Sequence, residues 1–230
     1  MKSMKMNLSG LFLAAFLVVV ICAGAGAASA DQIPKTLAIL PFENNSVTDP
    51  ERYAPLTKGL SAMLITDLSK SGSTLKLIER GKIQALLDEI ALGQTGCVDE
   101  ATAVKAGSIL GAQTIAFGSF MVLGNQVRID TRIIRVETSE LIMAESIDGD
   151  SGNFINLERE LAKKIADSLK VAFRSETSAS GSDINAALYF SRGLDALDRG
   201  DKEEANRLFK KSMELDPAYR KQVEGVQGMN

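Results

Sequence analysis

The sequence predicts an α/β fold: a mixed, three-layer-like sheet with an antiparallel meander and covering helices, followed by a C-terminal helical hairpin. Three observations lead to it. Between residues 36 and 111, short apolar runs alternate with stretches whose apolar residues recur at helical spacing. From Gln113 the periodicity changes to two, as in half-buried strands. Beyond a small, polar stretch at residues 175–182, aromatic and small residues return at the spacing of two helices in close contact.

Residues 1–30 stand apart from this fold. Lys2 and Lys5 precede an apolar run over residues 11–23, and Ala28-Ser29-Ala30 supplies the small residues of a cleavage site before Asp31. This is the pattern of a secretory signal peptide, and the run is shorter than the ~20 apolar residues of a spanning helix. Ile21 occupies the place where a lipid-modification site carries a small residue, so Cys22 is expected to leave with the peptide.

The elements follow in order. Residues 36–42 form a short apolar run with Pro41 near its end, read as a strand buried on both faces. Pro55 suits a first helical turn, where its missing N–H is no loss. Leu56, Leu60, Met63, Leu64 and Leu68 then build one apolar face up to Gly72. Residues 75–78 make a second strand, and a helix over residues 81–92 buries Ile83, Leu86, Leu87 and Ile90, with Gly93 placed to end it. Asp99 is expected to cap a third helix, residues 100–110, stopped by Gly111. Its small side, Ala103, Ala106 and Gly107, permits a close approach to the sheet.

Strands at 113–122 and 126–136 join at Gly124-Asn125, and a third follows at 141–148. Val127, Ile129 and Ile133 share a face, whereas Ile134 and Val136 break the alternation, which predicts a bulge near residue 133. A helix over residues 154–173 places Leu157, Leu161, Ile165, Leu169 and Phe173 along one stripe. These elements give four segments: signal peptide 1–30, α/β domain 31–174, flexible linker 175–182 with a reach on the order of 15 Å, and hairpin with tail 183–230. The linker is expected to separate two cores.

Composition limits the chemistry. The chain of 230 residues has no histidine, so neither a Ser-His-Asp or Cys-His arrangement nor an imidazole-bound metal site can form. Loss of the signal peptide leaves Cys97 as the single cysteine, which excludes an intramolecular disulfide. The net charge of −3 becomes more acidic without Lys2 and Lys5, which argues against nucleic-acid binding. The carboxylates Asp148 and Asp150, and the group Glu43, Asp49 and Glu51, read as solvated loop charges. Residues 93–96, GQTG, lack the Lys-Ser/Thr of a phosphate cradle. The expectation is a non-enzymatic chain without cofactor or metal.

Within residues 75–147 four pieces occur in a fixed order: a strand ending in Glu79-Arg80, a helix carrying Ile83, Leu86, Leu87 and Ile90, a Gly-rich joint followed by Val98-Asp99-Glu100-Ala101-Thr102-Ala103, and Leu110-Gly111-Ala112 leading into strands. Upstream lie Leu37-Ala38-Ile39-Leu40-Pro41-Phe42-Glu43-Asn44 and Gly59-Leu60-Ser61-Ala62-Met63-Leu64. Over residues 36–173 this order resembles the CsgG-like family, named for the curli secretion channel. The resemblance implies an α/β domain at the outer membrane of Gram-negative bacteria, in the periplasm, acting with other envelope or secretion proteins. The curli channel is a lipid-anchored ring whose subunits contribute β-hairpins to a barrel. Against a channel here stand Ile21 before Cys22 and the tight turns at Gly124-Asn125 and 137–140. The same domain class also resembles LpoB-like regulators of peptidoglycan synthesis.

In the C-terminal segment, Tyr189, Gly193, Ala196, Ala205, Phe209 and Pro217 fall at the spacing of the 34-residue tetratricopeptide repeat, with Gly200-Asp201 as the turn. Tyr189 stands for the usual Trp and Arg192 for the usual Leu. Tyr189 and Phe209 are expected to fill the seam and Pro217 to end the second helix. A single repeat does not bury a continuous core, so the hairpin should dock on its own domain, on another copy, or on a partner. Tyr189, Arg192, Gly193, Ala196, Ala205, Phe209 and Pro217 are the candidate protein-binding residues. Partners are other envelope or secretion proteins, or a second copy, with membrane association only through them. The expected role is an assembly or accessory factor, the alternatives being a channel subunit or an LpoB-like regulator.

Overall fold

The computed structural model describes residues 34–72, 74–89, 99–174 and 184–228. The signal peptide with Ala28, Ala30 and Asp31, the residues Cys22, Ile90, Gly93 and Cys97, and the linker 175–182 lie outside the described residues.

The strand expected over residues 36–42 ends early, as β1 (Thr36–Ile39), and a separate short strand, β2 (Glu43–Asn44), follows beyond it. They are followed by α1 (Pro50–Tyr53), α2 (Leu56–Lys70), β3 (Lys76–Leu77), α3 (Arg80–Glu89) and α4 (Glu100–Leu110). The meander is β4 (Thr114–Leu123), β5 (Gln126–Arg135) and β6 (Leu141–Asp150), and the helices that follow are α5 (Phe154–Ser168), α6 (Ile184–Asp198), α7 (Lys202–Leu215) and α8 (Arg220–Gln227). The strand order is β3-β1-β4-β5-β6, with β2 paired to β4. Pairings among β1 to β4 are parallel and the two within the meander antiparallel, so the sheet is open and mixed.

Local chemistry explains the ends of α4. The Asp99 carboxylate accepts from the Thr102 N–H at 2.8 Å, and Gly111, at φ 66°, donates to the Gly107 and Ser108 carbonyls. A Cβ on Gly107 would stand 2.6 Å from Val136 Cγ2, which is the close approach expected of this small face. The bulge falls where the alternation breaks, as a register shift between Ile133 and Ile134.

The two faces of the sheet are covered differently. Val127, Ile129, Thr131 and Ile133 are buried on the face that carries Gly149, against which Leu157 of α5 packs. Ile115 and Ile134 point the other way, toward α4. Helix α5 is shorter than the periodicity suggests. The chain turns at Lys170, φ 55°, and Val171 N–H donates to the Ala166 carbonyl at 3.0 Å. Phe173 therefore joins the core from outside the helix.

Helices α6 and α8 pack on α2, and α6 also meets α5. One hydrophobic core runs from Leu37 through Leu60 and Leu161 to Phe190 and Val226. Of the three docking places expected for the hairpin, the structure shows its own domain. The expectation of separate cores on either side of residues 175–182 gives way to this shared one. Helix α8, within the segment read only as a tail, completes the contact.

Candidate protein-binding surface

The hairpin is shaped by its turn and by its seam. Gly200, at φ 80°, reverses the chain, and the Asp201 carboxylate accepts from Glu204 N–H at 3.0 Å to start α7. A Cβ on Gly193 would fall 2.5 Å from the Phe209 ring, so only glycine lets the helices touch there. Ala196, Ala205 and Phe209 are buried beside it. Ser212 Oγ closes the other end by donating to the Ala186 carbonyl at 2.8 Å.

Gly193, Ala196, Ala205 and Phe209 thus come together, whereas Tyr189 does not fill the seam. Phe190 does, with its ring centroid 5.8 Å from that of Phe209 and 5.9 Å from that of Tyr219. Neighbouring helical residues point ~100° apart, and α6 must satisfy α7 and α2 at once, which turns Phe190 inward and leaves Tyr189 half-buried. Pro217 is exposed and opens a short 3-10 turn, 217–219, after α7 has ended at Leu215.

The inner side of α6 is closed by its own domain. Gly59 of α2 faces Ser191 so tightly that a Cβ would overlap the Ser191 hydroxyl. Arg80 makes a two-point contact with Asp198 at 2.7 and 3.0 Å, and Lys58 reaches Asp195 and Asp198 at 3.4 and 3.3 Å.

A second tie is buried at the junction of α2, α5 and α8. Asp67 Oδ1 accepts from Gln222 Nε2 at 3.0 Å and lies 3.1 Å from Lys221 Nζ, while Oδ2 is 3.7 Å from Arg159 Nε. Glu158 beside them is fully buried, and its pKa is pushed well above the ordinary carboxylic range. Burial is the main cause, followed by the nearby Asp67 carboxylate, whose negative charge disfavours a second one beside it. Arg159 and Lys221 pull the other way, by less than these. This cluster holds elements together and opens on neither cavity described below.

The outer side of the hairpin is open. A groove of about 390 Å³ is walled by Tyr189, Arg192, Asp195 and Arg199 on one side and by Glu204, Arg207, Leu208 and Lys211 on the other. Glu204 is held by Arg207 at 2.5 and 2.6 Å, and that bond keeps its carboxyl below the usual range. Lys211 Nζ sits 5.4 Å from the centre of the Tyr189 ring. A smaller cavity of about 260 Å³ lies between α2, the start of α3 and α8, with Ala62, Ile65, Ala85 and Val226 among its apolar lining.

Of the remaining sequence candidates, Asp148 and Asp150 belong to β6 and Glu43 to β2, so these three are strand residues and not the loop charges expected. Asp150 accepts from Asn125 Nδ2 at 2.8 Å and caps the turn at Gly152 at 2.7 Å. Asp49 adopts φ 50° ahead of α1. Among the described residues, no group of three or more Cys, Asp or Glu is placed to hold a metal ion. No helix among them is long and apolar enough to cross a membrane. Sequence reading found Tyr189 and Arg192 but not Arg199, Arg207 or Lys211, whose charges look like any solvated helix face. The one available signal was Arg192 itself, a charge at a position where the repeat pattern carries leucine.

Residues 30–131 match the family model of the curli production assembly/transport component CsgG, which supports the CsgG-like reading for that stretch. No curated protein matches the sequence. Among solved structures, the chain is similar to the LpoB C-terminal domain from Salmonella enterica at 13% identity, over 54% of this chain and 87% of that one, with a TM-score of 0.37. Lipoprotein GNA1162 from Neisseria meningitidis is 15% identical over 58% of this chain and 99% of its own, at 0.40. TolB from Acinetobacter baumannii is 14% identical over 60% of this chain and 29% of its own, at 0.39.

Proposed function

We propose that the chain is a non-enzymatic, periplasmic accessory protein of an envelope or secretion complex, and that it engages a protein partner through the outer groove of its helical hairpin. The observation that carries this reading is the contrast across α6. On its inner side Asp198 is taken up by Arg80 of α3 and Lys58 of α2, while its outer face keeps Arg192 exposed over a groove. The CsgG match over residues 30–131 supports an envelope setting, as does the export pattern at the N-terminus. We read the hairpin as one tetratricopeptide-like unit whose inner face is filled by α2 instead of by another repeat. Its polar outer face suits the end of such a stack, because terminal units carry a polar outer surface.

The test is cell fractionation followed by crosslinking pull-down from intact cells, comparing the wild type with Arg192→Glu/Arg199→Glu. A discrete crosslinked partner, lost in the variant, is the expected result. Recovery of every partner by the variant would move the binding surface to the α/β domain. A detergent-extracted ring, with the meander facing lipid, would replace this reading with that of a channel subunit.

A further inference from the structure

We propose that the groove takes an acidic, extended segment of a partner protein, a short run rich in Asp and Glu; this rests on reading the groove as the binding face. The argument starts from the charges. Four cations and two carboxylates line the groove. Asp195 is drawn to Lys58 of α2 at 3.4 Å, and Glu204 is taken up by Arg207. Arg192, Arg199 and Lys211 therefore have no carboxylate at hydrogen-bonding distance among the described residues, in a chain whose net charge is negative. A surplus of cations on an acidic protein stays close-spaced only at a cost in repulsion, which an incoming anion relieves.

The shape chooses among anions. From Tyr189 to Arg199 the groove follows α6 for about 15 Å, the rise of ten helical residues at ~1.5 Å each. That matches about four to five extended residues at ~3.3 Å each. Guanidinium groups of Arg192 and Arg199 present planar forks suited to carboxylates along such a strand. Tyr189 and Leu208 offer apolar contact to the methylenes between them. The trench is walled by two helices, a shape that suits a threaded chain over a flat anionic bilayer.

The experiment titrates a fluorescent Asp/Glu-rich hexapeptide into the purified full chain and follows anisotropy. Saturable binding is expected, weakening as salt rises and falling at least tenfold in Arg192→Glu/Arg199→Glu. Lys211→Glu should weaken it too, and Arg192→Lys/Arg199→Lys should retain some of it. Melting midpoints should be unchanged, since the arginines make no contact that the fold needs. Equal affinity in the double Glu variant, no saturable binding, or binding to phosphatidylglycerol vesicles that the peptide does not displace would each overturn the proposal. The two readings fail separately. If crosslinked partners are lost in the double variant but the peptide does not bind, the groove remains the docking face and only the acidic class is wrong. If the partners persist in the variant, the groove itself is wrong.

Discussion

The molecule gathers charge in two places and treats it in opposite ways. At the α2, α5 and α8 junction, Arg159, Lys221 and Gln222 are gathered around Asp67, and Glu158 sits beside them where burial favours its neutral form. In the outer groove, Arg192, Arg199 and Lys211 are left facing solvent. Residue type alone does not separate the two sets. Cohesion requires that buried charges be matched on the spot, because an unmatched ion inside costs several kcal/mol. Recognition requires the reverse, charges left over for something that arrives later.

The comparison breaks most directly at the buried set. Asp67→Ala with Glu158→Gln removes both acids from Arg159 and Lys221, and should cost about 3–5 kcal/mol in a denaturant titration. Asp67→Ala alone should cost less, because Glu158 can ionise into the vacated role. A double variant no worse than the single would show that Glu158 never takes that role. Next in size, Gly59→Leu forces a side chain between α2 and Ser191, with an expected loss of about 1–3 kcal/mol. If the midpoint holds, the hairpin is not bound to α2 in solution.

The pH dependence sharpens the same contrast. A carboxyl whose folded pKa is raised gives stability that is complete below its ordinary value of 4.5 and is lost as pH rises through the folded value. With no histidine in the chain to titrate between pH 5 and 8, the wild-type melting midpoint should fall across that window. Glu158→Gln, which is neutral at every pH, should flatten the curve. A wild-type midpoint that rises over the same range would contradict the assignment. The smallest effect is expected in the groove: Arg192→Ala and Arg199→Ala should each stay within about 0.5 kcal/mol of wild type. A larger loss in thermal unfolding would mean that these arginines serve the fold and are not surplus.

Much of the α/β portion was legible because its signals are local. Asp99 starts a helix with its carboxylate and Gly111 ends it with its left-handed backbone, and the apolar stripe Leu56, Leu60, Met63, Leu64 and Leu68 is buried as its spacing implies. The break at Ile134 announced the bulge, and Gly193 with Phe209 announced the seam. By itself, then, the sequence determined the longer helices, the meander, the hairpin and the exclusion of histidine chemistry, but not α1, α8 or β2. The tertiary structure decided the rest. It placed α6 on α2, which turned Phe190 inward and Tyr189 outward. It also brought Asp67, Glu158 and Lys221 together from helices far apart in sequence, and it sorted the arginines of the hairpin into paired and unpaired. Periodicity records which face of an element is apolar, but not which other element will cover it. The pairing of a charge depends on that second fact, since its partner comes from wherever the chain folds back.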